Sequence, residues 1–430
     1  MAPRDTDYLE IAHKRRLEKK THVSFPQLKY PSLRDEGLKD PVQWLAGKAM
    51  DDGAEGLWRI HDGLYDFHEF MDRHPGGTEW LELTKGTDIT EAFECHHINS
   101  IVDNMLPQFY IRNAKTPRNS PFAFKEDGFY RTLKRAVRQE LEKIPKYTPK
   151  DSNTITDGLF ITCLLTSALA CWFTNYWLVM TSYIIASISL AWLTIASHNY
   201  IHMKTNWRMY LFNISMWSYR DFRVSHALSH HLYPNTLMDV EVSGFEPIIF
   251  WISRKDKPIY SYFALFIECV LFPFMLLLTF VKKFCLIFIR KSFFTQHYRW
   301  HDGIGLLLPI WMYIASGSTL NDAVIMWLWI NCTGNTHNYK HEIYFILAAR
   351  TDFVLSKVFF EIALTFFGHH ALHHLFPTLD HAVLEYLYPV FLENCEKFRA
   401  NFRLTTQLDL FIGQIKMTFK TEPTLLAERD

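Results

Sequence analysis

The sequence predicts a small α+β module joined to an all-α domain that passes through a membrane about four times, and three observations carry the prediction. Between Asp157 and Lys204 lie 46 residues without Asp, Glu, Lys or Arg, about twice the ~20 that cross a bilayer as a helix. The stretch from Trp58 to Arg112 is mixed and soluble in character, with turn signals at Asp62-Gly63 and Pro75-Gly76-Gly77. The 430 residues also exceed the roughly 250–300 at which a single hydrophobic core stops growing.

Composition narrows the function classes. Apolar residues are 49% and aromatic residues 16%, a loading that excludes a disordered or fibrous chain. Lys plus Arg equals Asp plus Glu at 45 each, so no nucleic-acid partner is expected. The balance hides an asymmetry: residues 40–112 hold 14 acidic and 5 basic residues, an acidic module on a basic remainder. The seven cysteines are odd in number and form no CxxC, which points to a reducing compartment and not to a disulfide framework.

In order along the chain, residues 1–39 are polar and basic, with no apolar run of the length a cleaved signal needs, so the N-terminus is expected on the cytosolic side. Residues 40–112 form the acidic module. Residues 113–155 follow as a Pro/Asn/Ser linker and a charged helix near 125–145, 156–390 as the membrane domain and 391–430 as a cytosolic tail. The uncharged run reads as a helical hairpin turning near Thr174 to Trp177. A second hairpin is expected from 303–321 and 323–339, with its turn at Ser316 to Asn321. The apolar stretch 257–290 contains Glu268 and Pro273 and ends in a basic cluster, so it reads as interfacial or re-entrant. The other arrangement has 259–281 crossing and 303–336 returning as one helix. Either way the crossings are even in number, and the chain after 340 is on the side of the N-terminus.

Histidine is the compositional anomaly, with 21 residues, many of them in short runs. His198 and His202 (HNYIH) follow the first hairpin, His226, His230 and His231 (HALSHH) come next, and His337 and His341 (HNYKH) and His370, His373 and His374 (HALHH) follow the second apolar pair. Spacings of three and four return ring nitrogens to one helix face, as metal coordination requires. More than six such ligands imply two metal ions, and imidazole suits iron. No carboxylate lies inside the runs. Lone histidines such as His297, His301 and His381 read as interfacial or core residues.

The segment Leu57–Gly77, LWRIHDGLYDFHEFMDRHPGG, with GTDITEAF from Gly86 to Phe93, resembles cytochrome b5 domains. The resemblance implies a haem b held by His74 and His97, with His96 the alternative to His97. Gly63-Leu64-Tyr65-Asp66 is one residue shorter than the common pattern, which affects a strand turn. The histidine runs, with His374-Leu375-Phe376-Pro377-Thr378, resemble the membrane fatty acid desaturase family, in the front-end and sphingolipid branch that carries an N-terminal cytochrome b5 domain. That likeness covers about residues 45–390. It implies a di-iron centre, two non-haem Fe ions ligated by His198, His202, His226, His230, His231, His341, His370, His373 and His374. His337 stands where relatives often have Asn and would act through water.

The resemblance further implies an O2-dependent desaturase of a fatty acyl lipid, multi-pass in the endoplasmic reticulum membrane, with termini and active site cytosolic. A cytochrome b5 reductase-type donor would feed the haem, and the linker would hold haem and metal centre at an effective concentration of the order of millimolar. A lipid hydroxylase and a non-catalytic membrane electron carrier remain as alternatives. Two departures stand out. His226 is five residues from His231, one more than usual, which on an α-helix sets the rings about 140° apart. His370 stands where most cytochrome b5-fused desaturases have Gln.

Overall fold

The computed structural model describes residues 40–144, 152–236, 238–246, 248–253, 257–289, 299–346, 351–353, 364, 368–400 and 402–421. The module opens with helix α1 (Pro41–Asp51), capped by the Asp40 carboxylate on the Val42 and Gln43 amides. Strands β1 (Trp58–Ile60) and β2 (Gly63–Tyr65) form an antiparallel hairpin, and β3 (Tyr110–Asn113) adds to the far edge of β2. His61 takes a positive φ of 53° in the hairpin turn, which is how the shortened sequence there closes. Helices α2 (Thr78–Thr84) and α3 (Thr90–His96) pack over the sheet, burying Trp58, Ile60, Phe67, Leu81 and Phe93.

The linker does not hang free. Arg59 donates to the Thr116 carbonyl, and Arg118 pairs with Asp88 and Glu91 at 2.8 and 2.5 Å. Helix α4 (Ile101–Met105) completes the module, and helix α5 (Phe129–Lys143) fastens it to the rest. Leu133 and Val137 of α5 are fully buried with Leu372, Phe376 and Leu384 from the far end of the chain. Lys134 and Arg131 reach back to the Glu94 carboxylate at 3.0 and 2.7 Å, and the Tyr130 hydroxyl sits between the carbonyls of Glu94 and Leu375. Trp44 donates to the Met238 carbonyl. The expected tether is thus a docked module, because apolar contacts and buried ion pairs fix what a polar linker alone would leave to diffusion.

Helices α6 (Ser152–Trp172) and α7 (Tyr176–His202) form the first hairpin, turning at residues 173–175 as expected. Asn175 caps α7, and exposed Trp172, Tyr176 and Trp177 crowd the tip, where amphipathic rings suit a membrane interface. Ala186, Ala191, Ala196 and Ser197 let neighbouring helices approach α7 closely.

Among the described residues three helices are long and apolar enough to cross a membrane: α6, α7 and Ile259–Lys283. The last, expected to be interfacial, includes α8 (Ala264–Leu271) and the start of α9 (Met275–Ile289), with Pro273 in a 3-10 turn between them. Glu268 is compatible with this depth because it is buried and accepts hydrogen bonds from Trp251 and Gln414. The expected second hairpin is unequal. Helix α10 (Leu307–Ser316) has ten residues, too short to span, and α11 (Leu320–Ile346) has 27 but turns polar from Asn331 onward. Gly317 makes the turn with φ 67°. The end of the chain folds back: β4 (Thr351–Phe353) pairs in parallel with β5 (Arg403–Thr405), and α14 (Gln407–Phe419) brings Gln414 to Glu268. Between them lie α12 (His370–Leu375) and α13 (His381–Lys397).

Glu94 gives this docking a pH signature. Burial raises its pKa, but the hydrogen bond with His61 and the Lys134 and Arg131 cations outweigh that and bring it down to about 2. A depressed carboxylate stabilises the fold above its unfolded pKa and loses that contribution as pH falls towards the folded value. Thermal unfolding in detergent should therefore weaken more steeply between pH 4.5 and 2 in the parent protein than in Glu94→Gln. Lys134→Met should cost on the order of 3 kcal/mol at neutral pH, since it breaks a buried pair.

Candidate haem cavity and metal centre

His74 follows the 3-10 turn His68–Arg73, and His97 ends α3. Their rings face each other across a cavity of about 470 Å³ walled by Phe67, Leu81, Phe93, Leu106 and Phe109, with centroids 6.2 Å apart. Each Nδ1 donates to a backbone carbonyl, His74 to Gly77 at 3.0 Å and His97 to Phe93 at 2.9 Å, which leaves both Nε2 atoms for a ligand. Metal–nitrogen bonds of roughly 2.0–2.1 Å on either side, plus the two half-rings, fill that separation. Burial pushes the His97 imidazole down to about 4, so it is a neutral donor at physiological pH. The residues fit a six-coordinate haem.

Adjacent His96 lines the same cavity but has its ring engaged on the wall. Its ring packs on Trp80 with centroids 5.1 Å apart, and its Nδ1 donates to the Ala92 carbonyl. At Gly77, with φ 108°, a Cβ would strike the Thr205 hydroxyl at 2.1 Å, so a side chain there would push the module off its partner.

The other histidines converge from three segments into one buried volume. His198 and His202 from the end of α7, His226 and His231 from the next run, and His373 from α12 have ligand atoms within 4.8 Å of one another; His230, His370 and His374 form a second such group. The doublets divide: His230 and His231 go to different groups, as do His373 and His374, because neighbouring residues on a helix diverge. His198 Nε2 lies 2.7 Å from His226 Nε2 and 3.0 Å from His202 Nε2, and His231 Nε2 lies 2.9 Å from His226 Nε2. Nitrogens about 2.1 Å from one ion at right angles are separated by roughly that distance. His230 Nε2, His374 Nε2 and both ring nitrogens of His373 are buried with no hydrogen-bond partner among the described residues. Both groups fit a metal ion.

The extra residue in HALSHH is absorbed by the backbone. Arg223–His230 is a π-helix, and the His231 amide donates to the His226 carbonyl five residues back at 2.9 Å. That wider turn returns i+5 to the same side, as an α-turn returns i+4. His226 therefore faces His198 and His231 in place of lying 140° away.

Two carboxylates stand behind the ligands. His226 Nδ1 lies 2.6 Å from Glu241, and His230 Nδ1 lies 2.7 Å from Asp239. These partners fix the tautomer and aim Nε2 inward. Burial, reinforced by neighbouring imidazoles, holds His226, His231, His373 and His374 well below the usual histidine range and His370 at about 3. Backbone is described around His337 and His341, on the last turns of α11, but their side chains lie outside the described residues, as does His297. His301 is a core residue whose ring lies tilted against Tyr219 with centroids 4.7 Å apart. His381, read from the sequence in the same way, has its ring 4.9 Å from His373.

The description "Fatty acid desaturase" matches residues 174–406, more than half of the chain. The chain belongs to the fatty acid desaturase family. "Cytochrome b5-like Heme/Steroid binding domain" matches residues 45–115. The chain is 36% identical over 423 residues to the cytochrome b5-related protein of Drosophila melanogaster, covering 92% of this chain and 95% of that one. It is 29% identical over 225 residues to the acyl-lipid (8-3)-desaturase of Mortierella alpina, 48% of each chain. It is also 32% identical over 133 residues to the probable Delta(5) fatty acid desaturase C of Dictyostelium discoideum, 30% of this chain and 26% of that one. No solved structure matches the chain.

Sequence reading missed Asp239 and Glu241, whose one signal is a D-V-E run shortly after the second histidine run. Substituting His74 or His97 with Ala should abolish a low-spin bis-imidazole haem spectrum, while His96→Ala should retain it; absorption and EPR spectra decide. His226→Ala should lose as much bound non-haem iron as His202→Ala, because the π-turn keeps both rings in one group.

Proposed function

We propose that this protein is an O2-dependent lipid desaturase that introduces a double bond into a fatty acyl chain at a histidine-held di-iron centre, with electrons arriving through the fused haem. The observation that carries this reading is the division of eight buried imidazoles into a group of five and a group of three, the donor set for two ions and not one. His341, carried by α11, would be a ninth ligand. A membrane location follows from three helices able to cross. We place the protein in the endoplasmic reticulum membrane, with α11 as the returning crossing and both termini on the cytosolic side.

When bound, iron would supply the oxidising power that an unactivated C–H bond requires, and haem the one-electron delivery. The balance is one O2, two electrons, two protons and two substrate hydrogens, giving a carbon–carbon double bond and two waters. The chain's own residues set the conditions for it. Glu241 and Asp239 accept from Nδ1 of His226 and His230 and so keep each Nε2 aimed at the other imidazoles. An apolar cavity of about 340 Å³ lies between Trp217, Phe245, Met275, Leu276 and Phe280 and reaches Phe222, which stacks on His226 at 4.6 Å and 9°. An acyl chain in that cavity would lie against the ligand face and exclude water. Lys282 lines the same cavity together with Asp40 and Glu241, and Lys283 there is paired with Asp221 and Asp302 at 2.8 Å each. The acidic module, net negative over 40–112, suits a basic face on a reductase of the cytochrome b5 reductase type.

Expression in a cell lacking desaturase activity, followed by lipid profiling, should reveal acyl chains with a new double bond. Met275→Trp, which fills the apolar cavity, should remove those products while leaving the haem spectrum intact. New hydroxyl groups in place of double bonds would make the protein a hydroxylase, and unchanged lipids from a metal-loaded protein would make it an electron carrier.

A further inference from the structure

The haem cavity does not belong to the module alone. His202, Met203, Lys204, Leu228 and Thr378, all from the desaturase domain, line it together with His74 and His97. Three contacts seat this wall: the Thr205 amide donates to the Gly76 carbonyl at 3.2 Å, the Thr378 hydroxyl to the His96 carbonyl at 3.3 Å, and Gly77 leaves room for Thr205. Glu79 on α2 reinforces the seat, meeting Arg220 and Arg223 at 3.0 and 2.6 Å.

Among the described lining residues Lys204 is the one Lys or Arg, and no Asp or Glu is present. Haem brings two carboxylates into this otherwise apolar and imidazole-lined space, and a carboxylate near apolar walls needs a cation or water. Lys204 is exposed, as a residue at the mouth would be. We propose that the haem site is composite: the desaturase domain closes the cavity, and Lys204 pairs with a haem propionate. This rests on the bis-imidazole haem reading above and adds that the fused module is a fixed donor, whose haem is retained and tuned by a residue outside it.

The test uses the full-length, haem-loaded protein in detergent and two readouts, haem transfer to excess apomyoglobin and the haem midpoint potential. Lys204→Ala should speed haem loss about fivefold, the scale of one exposed ion pair. Lys204→Glu should speed it further and lower the midpoint potential, because a negative charge favours ferric haem, and Lys204→Arg should behave as the parent. Both effects should shrink at high salt. Met203→Ala, which opens the same wall without a charge change, should also speed haem loss. A bis-imidazole spectrum with haem-loss rates and potentials within twofold and within error of the parent in all variants would overturn the composite site while leaving the haem reading intact. Absence of that spectrum from the folded full-length parent would overturn both.

Discussion

Eight imidazoles share one buried volume, and the rest of the structure serves to aim their nitrogens into it. Burial, with the neighbouring imidazoles, disfavours the charged form of His226, His231, His370, His373 and His374. Burial alone leaves the tautomers open. Asp239 and Glu241 settle two of them by accepting the Nδ1 protons of His230 and His226, and both carboxylates are themselves buried. Asp239 in turn caps the short helix Val240–Ser243, and Ser229 ties the loop to the π-helix through the Met238 carbonyl and the Val240 amide. The loop after the second histidine run is therefore part of the site's rigidity.

Arg223 links that site to the haem module. Its side chain is fully buried, at the first residue of the π-helix that carries His226 and His230. The guanidinium donates to the Ile201 carbonyl next to His202, pairs with Glu79 of the module and lies over the Trp80 ring at 4.7 Å. One cation thus touches the first run, the second run and the haem domain. Fixed geometry of this kind favours rapid electron delivery without a docking step, and His202 lies on both sides of the boundary: it lines the haem cavity and belongs to the group of five.

Much of this was legible in the sequence because the signals were local and dense. The first hairpin is bounded by charges, and its turn carries a capping Asn175. The histidine runs announce metal by number and spacing, and HPGG with GTDITEAF announces the haem. What was not legible depends on contacts across long separations. The π-turn at Arg223–His230 looks in sequence like a misplaced ligand, since an α-helix would set His226 about 140° from His231. Glu268 argued against a crossing helix until Gln414, 146 positions on, appears beside it. Glu79 and Lys204 are ordinary charged residues in sequence, and their positions at the domain boundary come only from the fold.

Two metal ions, separate from haem, are proposed for the two histidine groups. Iron and haem analysis of the purified full-length protein tests that proposal most directly. About two non-haem irons per haem are expected. A folded protein with its full haem complement and no non-haem iron would contradict it.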